Sequence, residues 1–444
     1  MSVTKRRLRR AAAVALAAFT ALSGVAACNK EAAPSGAKPD KLIVDTFGEF
    51  GYDELVKQYT QQTGIQVELR KTGNLGDYRN KLVRYLATGK GAGNVVALEE
   101  GIINEFKLNP ANFANLADYM PASKEGEFLP WKWQLGKTSE GMLFGVPTDA
   151  GGLGICYRRD LFEAAGMPFE RDAVTASWQT WEDFIAVGKT YREKTKKGML
   201  DSLTSVTNAV LFQGQPGQDL FYDAQDNFYV AGSEPKPENL VAAKSPVVKA
   251  AWDRAVEVLE ANIVAKTQTW SAEWSAGFKN GTFAVTFCPS WMTGIVEGNS
   301  GPENAKKWDL AGVPGGAGNW GGSWLAVPTQ SDFPEESAKL ADFLTNAQSQ
   351  IAAFKLKGPL PTNKTALASA EFTGYTNPYF NDAPTAKIFG DAIAKIQPIH
   401  LGPRHGGVKE GCFEAALNAI QAGQLNKDAA WTQFLDCVPT KAAY

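Results

Sequence analysis

The stretch "KLIVDTFGEFGYDELVKQYTQQTGIQVEL" (residues 41–69) contains a strand, a helix and a second strand in succession. Its first seven residues are rich in β-branched side chains, which favour a strand. Apolar residues at helical spacing follow, namely Tyr52, Leu55, Val56 and Tyr59. Gly64 is a typical helix stop, and the alternation of apolar and polar residues over 65–69 predicts the second strand.

The same order of elements continues beyond this stretch. A second amphipathic segment has Tyr78, Leu82, Tyr85 and Leu86 on one side. It is followed by "NVVAL" (94–98), a short apolar run that predicts a buried strand. Strand–helix–strand repetition predicts a parallel sheet covered by helices, with right-handed crossovers. The fold class is therefore α/β.

A second region begins at the glycine-rich segment "GVPTDAGGLGICYRRDLFEAAGMP" (145–168), which joins an extended run to a short helix. Downstream, "GTFAVTFCPSW" (281–291) and "GGSWLAVP" (321–328) predict further strands. The segment 334–356 predicts a helix, since it opens with Pro and two glutamates. A chain of 444 residues is too long for one ordinary core, so we expect two domains.

The charges are balanced, with 45 basic and 47 acidic residues and a formal net charge of -2. Beyond the N-terminal segment no block of like charge occurs. This distribution gives no sign of a nucleic-acid partner.

The N-terminus has the layout of a secretory signal, because basic residues precede an apolar stretch over 11–27. The tetrad "VAAC" (25–28) resembles the lipobox of bacterial lipoproteins. The resemblance implies that residues 1–27 are a cleaved signal peptide, that Cys28 carries the lipid anchor, and that residues 28–40 are a flexible linker. The alternative is an uncleaved membrane span, although about 17 small apolar residues are at the short limit for the bilayer core.

The remaining cysteines are even in number, as expected of a disulfide framework in an oxidising compartment. They are Cys156, Cys288, Cys412 and Cys437. The sequence leaves three pairings open. Among them, Cys412–Cys437 would close a short C-terminal loop and Cys156–Cys288 would join two strand-like segments. Four buried thiols are the alternative, because free cysteine is among the most buried residue types.

Four segments in order resemble the landmarks of a known family. They are the segments 145–168, 281–291 and 321–328 quoted above, and "SAKLADFL" (337–344). With these segments the chain resembles the family 1 extracellular solute-binding proteins, which are the sugar receptors of ABC importers. The similarity runs from Lys41 to about Leu425.

The resemblance implies a periplasmic-binding-protein-like fold. Two α/β lobes would be joined by hinge strands, with a ligand cleft between them and no reaction catalysed. Carried over to this chain, the first lobe comprises 41–148 and 315–368. The second lobe comprises 149–314 and 369–444.

A sugar site needs flat aromatic platforms for the C–H faces of the ring and planar polar groups for its hydroxyls. The chain has 12 tryptophans. Trp291 follows a strand end, where ligands of open α/β sheets bind, although core burial of a large aromatic is the alternative. Trp324 follows two glycines that leave room for a close ligand, but a tryptophan in a strand commonly packs in the core.

Acidic residues at strand ends are further candidates for ligand contacts. Glu99 and Glu100 end the third predicted strand; one is expected to face the cleft, and the other could be a charge at a helix N-terminus. Glu49 lies in the loop after the first strand, where a solvated acid is equally expected. Asp149 stands beside the expected hinge and could accept hydrogen bonds from sugar hydroxyls.

Amides and a basic segment complete the candidate ligand-binding residues. Asn208, Gln213 and Gln215 lie in a loop-like stretch and are expected either to bind ligand or to be exposed. Arg404 and His405 precede the last helices, where the resemblance implies an arginine and an aromatic residue, so His405 departs from the family pattern. The two histidines of the chain have no acidic neighbours in sequence, so no metal site is expected.

The segment "GAGNWG" (316–321) matches a dinucleotide-binding motif but precedes a strand instead of following one, so no cofactor is predicted. Together the two resemblances imply a monomeric lipoprotein on the extracellular face of the membrane that passes an oligosaccharide to an ABC permease. The segments 44–54 and 93–102 are similar to those of receptors for β-linked glucosides such as cellobiose. A secreted glycosidase, which would need two carboxylates at a set separation, and a receptor for a non-sugar solute are the alternatives.

Overall fold

A computed structural model describes residues 38–213, 217–396 and 398–443. The predicted signal peptide, Cys28, most of the predicted linker and Gln215 lie outside the described residues. The strands are β1 Lys41–Phe47, β2 Gln66–Thr72, β3 Val95–Glu99, β4 Val146–Pro147, β5 Asp149–Ala150, β6 Leu153–Arg158, β7 Val285–Pro289, β8 Trp308–Ala311, β9 Ser323–Ala326 and β10 Leu360–Pro361.

Helices cover both sheets and make up most of the rest of the described chain. Those before β7 are α1 Asp53–Thr63, α2 Leu75–Thr88, α3 Ile103–Lys107, α4 Pro130–Leu135, α5 Arg159–Ala164, α6 Arg171–Ser177, α7 Trp181–Thr195, α8 Leu203–Leu211, α9 Val241–Lys244, α10 Pro246–Glu260 and α11 Ala272–Asn280. Those after β7 are α12 Met292–Ser300, α13 Pro334–Thr345, α14 Ala347–Lys357, α15 Lys364–Ala368, α16 Ala370–Thr373, α17 Thr385–Ile393, α18 His405–Val408, α19 Ala415–Gln421 and α20 Lys427–Ala442. A π-helical turn, Lys409–Glu414, lies between α18 and α19.

The first lobe is built on a five-stranded sheet in the order β2-β1-β3-β9-β4. The pairs β1·β2 and β1·β3 are parallel, which confirms the predicted strand–helix–strand start. β9 pairs antiparallel with both β3 and β4. Alternate residues of β3 enter separate hydrophobic clusters, Val95 and Ala97 on one face and Val96 and Leu98 on the other. The sheet is therefore covered on both faces.

The second lobe contains an antiparallel sheet in the order β7-β6-β8, surrounded by a larger hydrophobic cluster that extends to α20. Between the sheets, β5 pairs with β10. The chain crosses from the first sheet to the second over 147–152 and returns over 312–322, and we call these two stretches the crossing segments. The exact lobe boundaries stay a prediction.

The helix expected over 334–356 is in fact two helices, so that prediction is wrong in detail. Asn346 has extended ψ of 167°, and its side chain accepts a hydrogen bond from the Ser349 backbone N–H. This asparagine caps α14 and ends α13. An Asn side chain that competes for backbone N–H groups favours such a cap over a continuous helix.

Both disulfides lie in the second lobe. Cys156 and Cys288 join the neighbouring antiparallel strands β6 and β7, with Cα atoms 5.4 Å apart. Cys412 and Cys437 join the π-helical turn to α20. Of the alternatives that the sequence leaves open, these two pairings are confirmed. Within the described residues, no helix combines the length and the apolar character needed to cross a bilayer.

Candidate functional site

The two lobes contact each other where the chain leaves β3. The Gly406 backbone N–H donates to the Gly101 carbonyl at 3.2 Å, and the Asn104 side chain donates to the Leu401 carbonyl. A guanidinium nitrogen of Arg404 lies 3.6 Å from Glu105, which also pairs with Arg79. Residues 101–105 of the first lobe therefore contact 401–406 of the second, and we call this boundary between the lobes the crevice.

Three tryptophans gather at one side of this crevice. Trp291 begins α12 after β7 and is partly buried, and its indole N–H donates to the Trp320 carbonyl at 2.9 Å. Trp320 meets it edge to face, with ring centroids 5.7 Å apart. Trp270 stacks nearly parallel to Trp291, with a centroid distance of 6.3 Å and an interplanar angle of 21°. Trp270 and Trp291 form an offset apolar surface that we call the indole platform.

Trp270 is 54% exposed, more than any other large hydrophobic side chain of the described residues. Its backbone has φ of 71°, a conformation that is costly for a bulky side chain. The Ser271 side chain immediately after it accepts from the Trp274 backbone N–H and so caps α11. The chain thus holds an unfavourable backbone conformation that presents an apolar ring to solvent.

Glu99 lies beside the indole platform at the end of β3. A Cβ atom built on Gly321 would lie 3.4 Å from a carboxylate oxygen of Glu99 and 3.5 Å from the indole nitrogen of Trp291, so both groups flank this glycine. The Gly101 backbone N–H donates to the other carboxylate oxygen at 2.6 Å. Burial, followed by the neighbouring carboxylate of Glu100, raises the pKa of Glu99 to about 8. This carboxyl is therefore mostly protonated at neutral pH and can both donate and accept hydrogen bonds.

Glu410 lies on the π-helical turn of the second lobe, and its charge contributes to the raised pKa of Glu99. Glu410 is exposed, yet burial by the surrounding protein raises its own pKa. Its neighbour Lys409 pairs with Glu414 at 2.7 Å, so that ammonium is already engaged.

Glu100 and Asp149 lie at the crossing segments, deeper in the protein. Glu100 is 8% exposed and accepts from Lys132 at 2.6 Å and from Asn319 at 3.0 Å. Asp149 is 5% exposed and accepts from the Thr148 hydroxyl at 2.6 Å. Burial raises the pKa of Asp149, and the nearby Lys132 opposes this rise. Glu99 lies beside the platform and Glu100 is paired within the protein, and the expectation that one of the two contacts ligand stays a prediction.

Trp324 lies in the core of the first lobe and not on the platform. It is fully buried in β9, donates its indole N–H to the Lys132 carbonyl at 3.1 Å, and has the Lys132 ammonium 3.9 Å from its ring centroid. The core-packing alternative therefore describes its position. A tryptophan on a sheet face that helices cover has no route to a ligand without rearrangement of that face.

The amides and the basic segment occupy other positions. Gln213 donates to the Pro314 and Gly316 carbonyls at 2.8 Å each, which ties the end of α8 to a crossing segment. Asn208 is fully buried in α8, and both of its side-chain polar atoms lack a hydrogen-bond partner among the described residues. His405 is 1% exposed against Phe221, and burial lowers its pKa to about 3, so its ring is neutral. Ligand contacts at these residues stay predictions.

Glu49 is exposed on the first lobe and pairs with Lys71 at 2.7 Å. The same ammonium pairs with Asp53 at 2.8 Å. This position matches the solvated-loop alternative. The described residues include no group of three or more His, Cys, Asp and Glu side chains placed to hold a metal ion.

Residues 54–381 match the family of bacterial extracellular solute-binding proteins. The chain belongs to this family. Its relatives include a lactose-binding protein of Rhizobium radiobacter, 26% identical over 343 residues that cover 73% of this chain and 74% of that protein. An arabinooligosaccharide-binding protein of Halalkalibacterium halodurans is 25% identical over 277 residues, covering 61% of this chain and 57% of that protein.

Solved structures of solute-binding proteins have the same fold. A crystal structure of a family 1 extracellular solute-binding protein superposes with a TM-score of 0.74 at 33% identity, covering 91% of this chain and 100% of the other. A binding protein of B. animalis subsp. lactis in complex with β-1,6-galactobiose also gives a TM-score of 0.74, at 20% identity, covering 91% of this chain and 99% of the other. The predicted two-lobed α/β fold is confirmed. The family and these relatives are substrate-binding proteins and not enzymes.

Sequence reasoning missed several residues of this solute-binding protein's crevice. Trp270 precedes a Ser helix cap in "TWSAEW" (269–274), and a tryptophan at a loop end beside a cap was an available signal. Trp320 lies inside the rejected glycine-rich motif. Lys132 and Glu410 carry no local signal, because their partners are distant in sequence.

Proposed function

We propose that this solute-binding protein captures a carbohydrate of two or more sugar units in the crevice and delivers it to an ABC permease. The indole platform carries the proposal. A pyranose ring presents an apolar C–H face that stacks on an aromatic ring, and the rings of Trp270 and Trp291, with centroids 6.3 Å apart, together extend the apolar surface beyond one ring.

Polar groups beside the platform suit sugar hydroxyls. The protonated carboxyl of Glu99 can donate to one hydroxyl and accept from another, and Gly321 leaves its backbone open beside it. Glu410 supplies further acceptors from the second lobe.

Relatives support the same class of ligand. One is a lactose-binding protein, a second is an arabinooligosaccharide-binding protein, and a structural neighbour holds β-1,6-galactobiose. We extend this to the present chain as a disaccharide or short oligosaccharide. Cellobiose, which the sequence segments favoured, stays within this class.

Capture works by closure of the lobes. A ligand that contacts Glu99 in the first lobe and Trp291 in the second stabilises the arrangement in which both reach it, and its differential affinity shifts the open–closed equilibrium. The permease, on another chain, would recognise the closed form. A lipid on Cys28 would hold the monomer at the outer face of the membrane and raise its effective concentration near the permease.

The experiment is a thermal-shift screen of residues 29–444 against lactose, β-1,6-galactobiose, arabinobiose, cellobiose and maltose. A bound ligand at 100 times its Kd stabilises the folded state by about 2.7 kcal/mol, so the melting temperature should rise with sugar concentration. Mass spectrometry of the sugar after incubation is the companion measurement. A rise with an intact sugar supports the proposal; a cleaved sugar indicates a glycosidase; no rise with any sugar indicates another class of solute.

A further inference from the structure

Three polar side chains form a buried group where the lobes join, and we call it the crossing cluster: Glu100, Lys132 and Asn319. The Lys132 ammonium is fully buried and lies 2.6 Å from one carboxylate oxygen of Glu100. The Asn319 amide nitrogen lies 3.0 and 3.1 Å from the two oxygens of the same carboxylate. Asn319 is 7% exposed, so the cluster is nearly closed to solvent.

Asn319 connects the two crossing segments to each other. The side-chain carbonyl oxygen of Asn319 accepts a hydrogen bond from the Gly151 backbone N–H at 2.8 Å. The adjacent Trp320 N–H donates to the Gly151 carbonyl, also at 2.8 Å. Since Gly151 lies on the outgoing crossing and Asn319 on the returning one, a single amide links both crossings to the first-lobe carboxylate of Glu100.

The position of the lysine depends on a glycine in the returning crossing. A Cβ on Gly322 would lie 2.5 Å from the Lys132 ammonium and 2.5 Å from the Asp149 carbonyl, so only a glycine leaves room. The ammonium also lies over the Trp324 ring. The charge is therefore held at one place by packing on several sides.

This arrangement leaves the Glu100 carboxylate little capacity to bind a ligand. Both of its oxygens already accept hydrogen bonds from within the protein. A buried ion pair contributes little net stability compared with an apolar core, but removal of one member is costly because the other charge stays buried. Such a cluster instead distinguishes one chain arrangement from others, because only the arrangement that satisfies every member is favourable.

We propose that Glu100, Lys132 and Asn319 are positioning residues that hold the two crossing segments in the arrangement described above and thereby set the affinity for every ligand by a common factor. When the competent arrangement is only a fraction of the population, the apparent Kd rises by the inverse of that fraction for all ligands alike. The inference relies on the proposed function only for the affinity measurement.

The test is Asn319→Asp, which keeps an acceptor for Gly151 but removes the donor to Glu100 and adds a like charge beside it. Three measurements follow. The radius of gyration of the ligand-free protein by small-angle scattering should increase, and peptides covering 147–152 and 317–322 should exchange amide hydrogens faster. The Kd values for lactose and β-1,6-galactobiose should rise by the same factor, about tenfold or more, the usual consequence of leaving a buried polar group unpaired.

Asn304→Asp is the matched control. Asn304 is a 3% exposed asparagine of the second lobe whose amide donates to the Lys279 and Ser300 carbonyls at 3.1 and 3.0 Å. This variant should lower the melting temperature but leave scattering, exchange at the crossings and both Kd values unchanged. Asn319→Ser, which adds no charge, serves if Asn319→Asp does not fold.

The outcomes separate the two proposals. A changed Kd for one sugar only would show that Asn319 contacts ligand and would overturn the positioning role. Unchanged scattering and unchanged exchange at the crossings would overturn it as well. Scattering and exchange need no sugar, so they decide this inference even if neither sugar binds and the proposed function fails.

Discussion

Replacement of Trp270 by alanine should weaken sugar binding about tenfold while leaving the fold stable. A tryptophan side chain can bury about 200 Å². With 54% of the residue exposed, about 110 Å² is free for a ligand, and one of the two ring faces accounts for roughly half of that area. At about 25 cal/mol per Å², one covered face contributes about 1.4 kcal/mol, which is a factor of about ten in Kd.

Isothermal titration with the sugar that gives the largest thermal shift measures this effect. Tyr119→Ala is the control, since Tyr119 is another exposed aromatic, 38% accessible, and its ring contacts none of the three crevice tryptophans. We expect Trp270→Ala to leave the melting temperature of the sugar-free protein within about 2 °C, because more than half of this residue is exposed and exposed substitutions usually change stability little. An unchanged Kd would refute the indole platform as the binding surface, as would a large fall in the sugar-free melting temperature with no change in Kd.

Three other predictions concern the core, the pH dependence and the anchor. Trp324→Ala should lower the free energy of unfolding, measured with denaturant, by about 3–5 kcal/mol, since the ring is fully buried. A variant with nearly unchanged stability would contradict the assignment of Trp324 to the core. The pKa of Glu99 is raised from 4.5 to about 8, so the folded chain keeps a proton that the unfolded chain has lost; the stability from this carboxyl is complete below pH 4.5 and is lost as the pH rises through 8. Between pH 4 and 9 the melting temperature should therefore fall less steeply with rising pH for Glu99→Gln than for the parent protein. Equal slopes would argue against a protonated Glu99. Cys28→Ala should release the protein from the membrane fraction or block its processing, whereas unchanged retention on immunoblots would exclude the lipid anchor.

Local patterns were sufficient for the first strands and helices, whereas the two-lobed fold was predicted from the resemblance of four segments to a known family. The apolar runs at β1 and β3 and the helical spacing of α1 depend on residues close in sequence, so these elements were predicted to within one or two residues at most ends. The break at Asn346 was missed, because a cap inside a continuous amphipathic pattern differs from an exposed Asn by only one hydrogen bond.

The candidate site was less predictable for a physical reason. Glu99 and Glu100 are adjacent in sequence, yet one borders the crevice and the other is paired to Lys132 and Asn319, which lie 32 and 219 residues away. Trp291 follows the end of β7 and Trp324 lies within β9, but only Trp324 lies on a sheet face that helices cover. Which side of a strand meets solvent depends on partners that no local pattern contains.

The position of β9 has a consequence for how the chain folds while it is synthesised from its N-terminus onward. β9 lies between β3 and β4 in the first sheet, although the chain forms the whole second sheet, including both cysteines of Cys156–Cys288, before it reaches β9. The first sheet therefore has a gap beside β3 until residues 323–326 arrive. Oxidation of this disulfide can precede completion of the first lobe, so the cross-linked second sheet can be in place when the first sheet closes. During that interval the edge of β3, with its apolar residues on both faces, is the segment most exposed to wrong pairing.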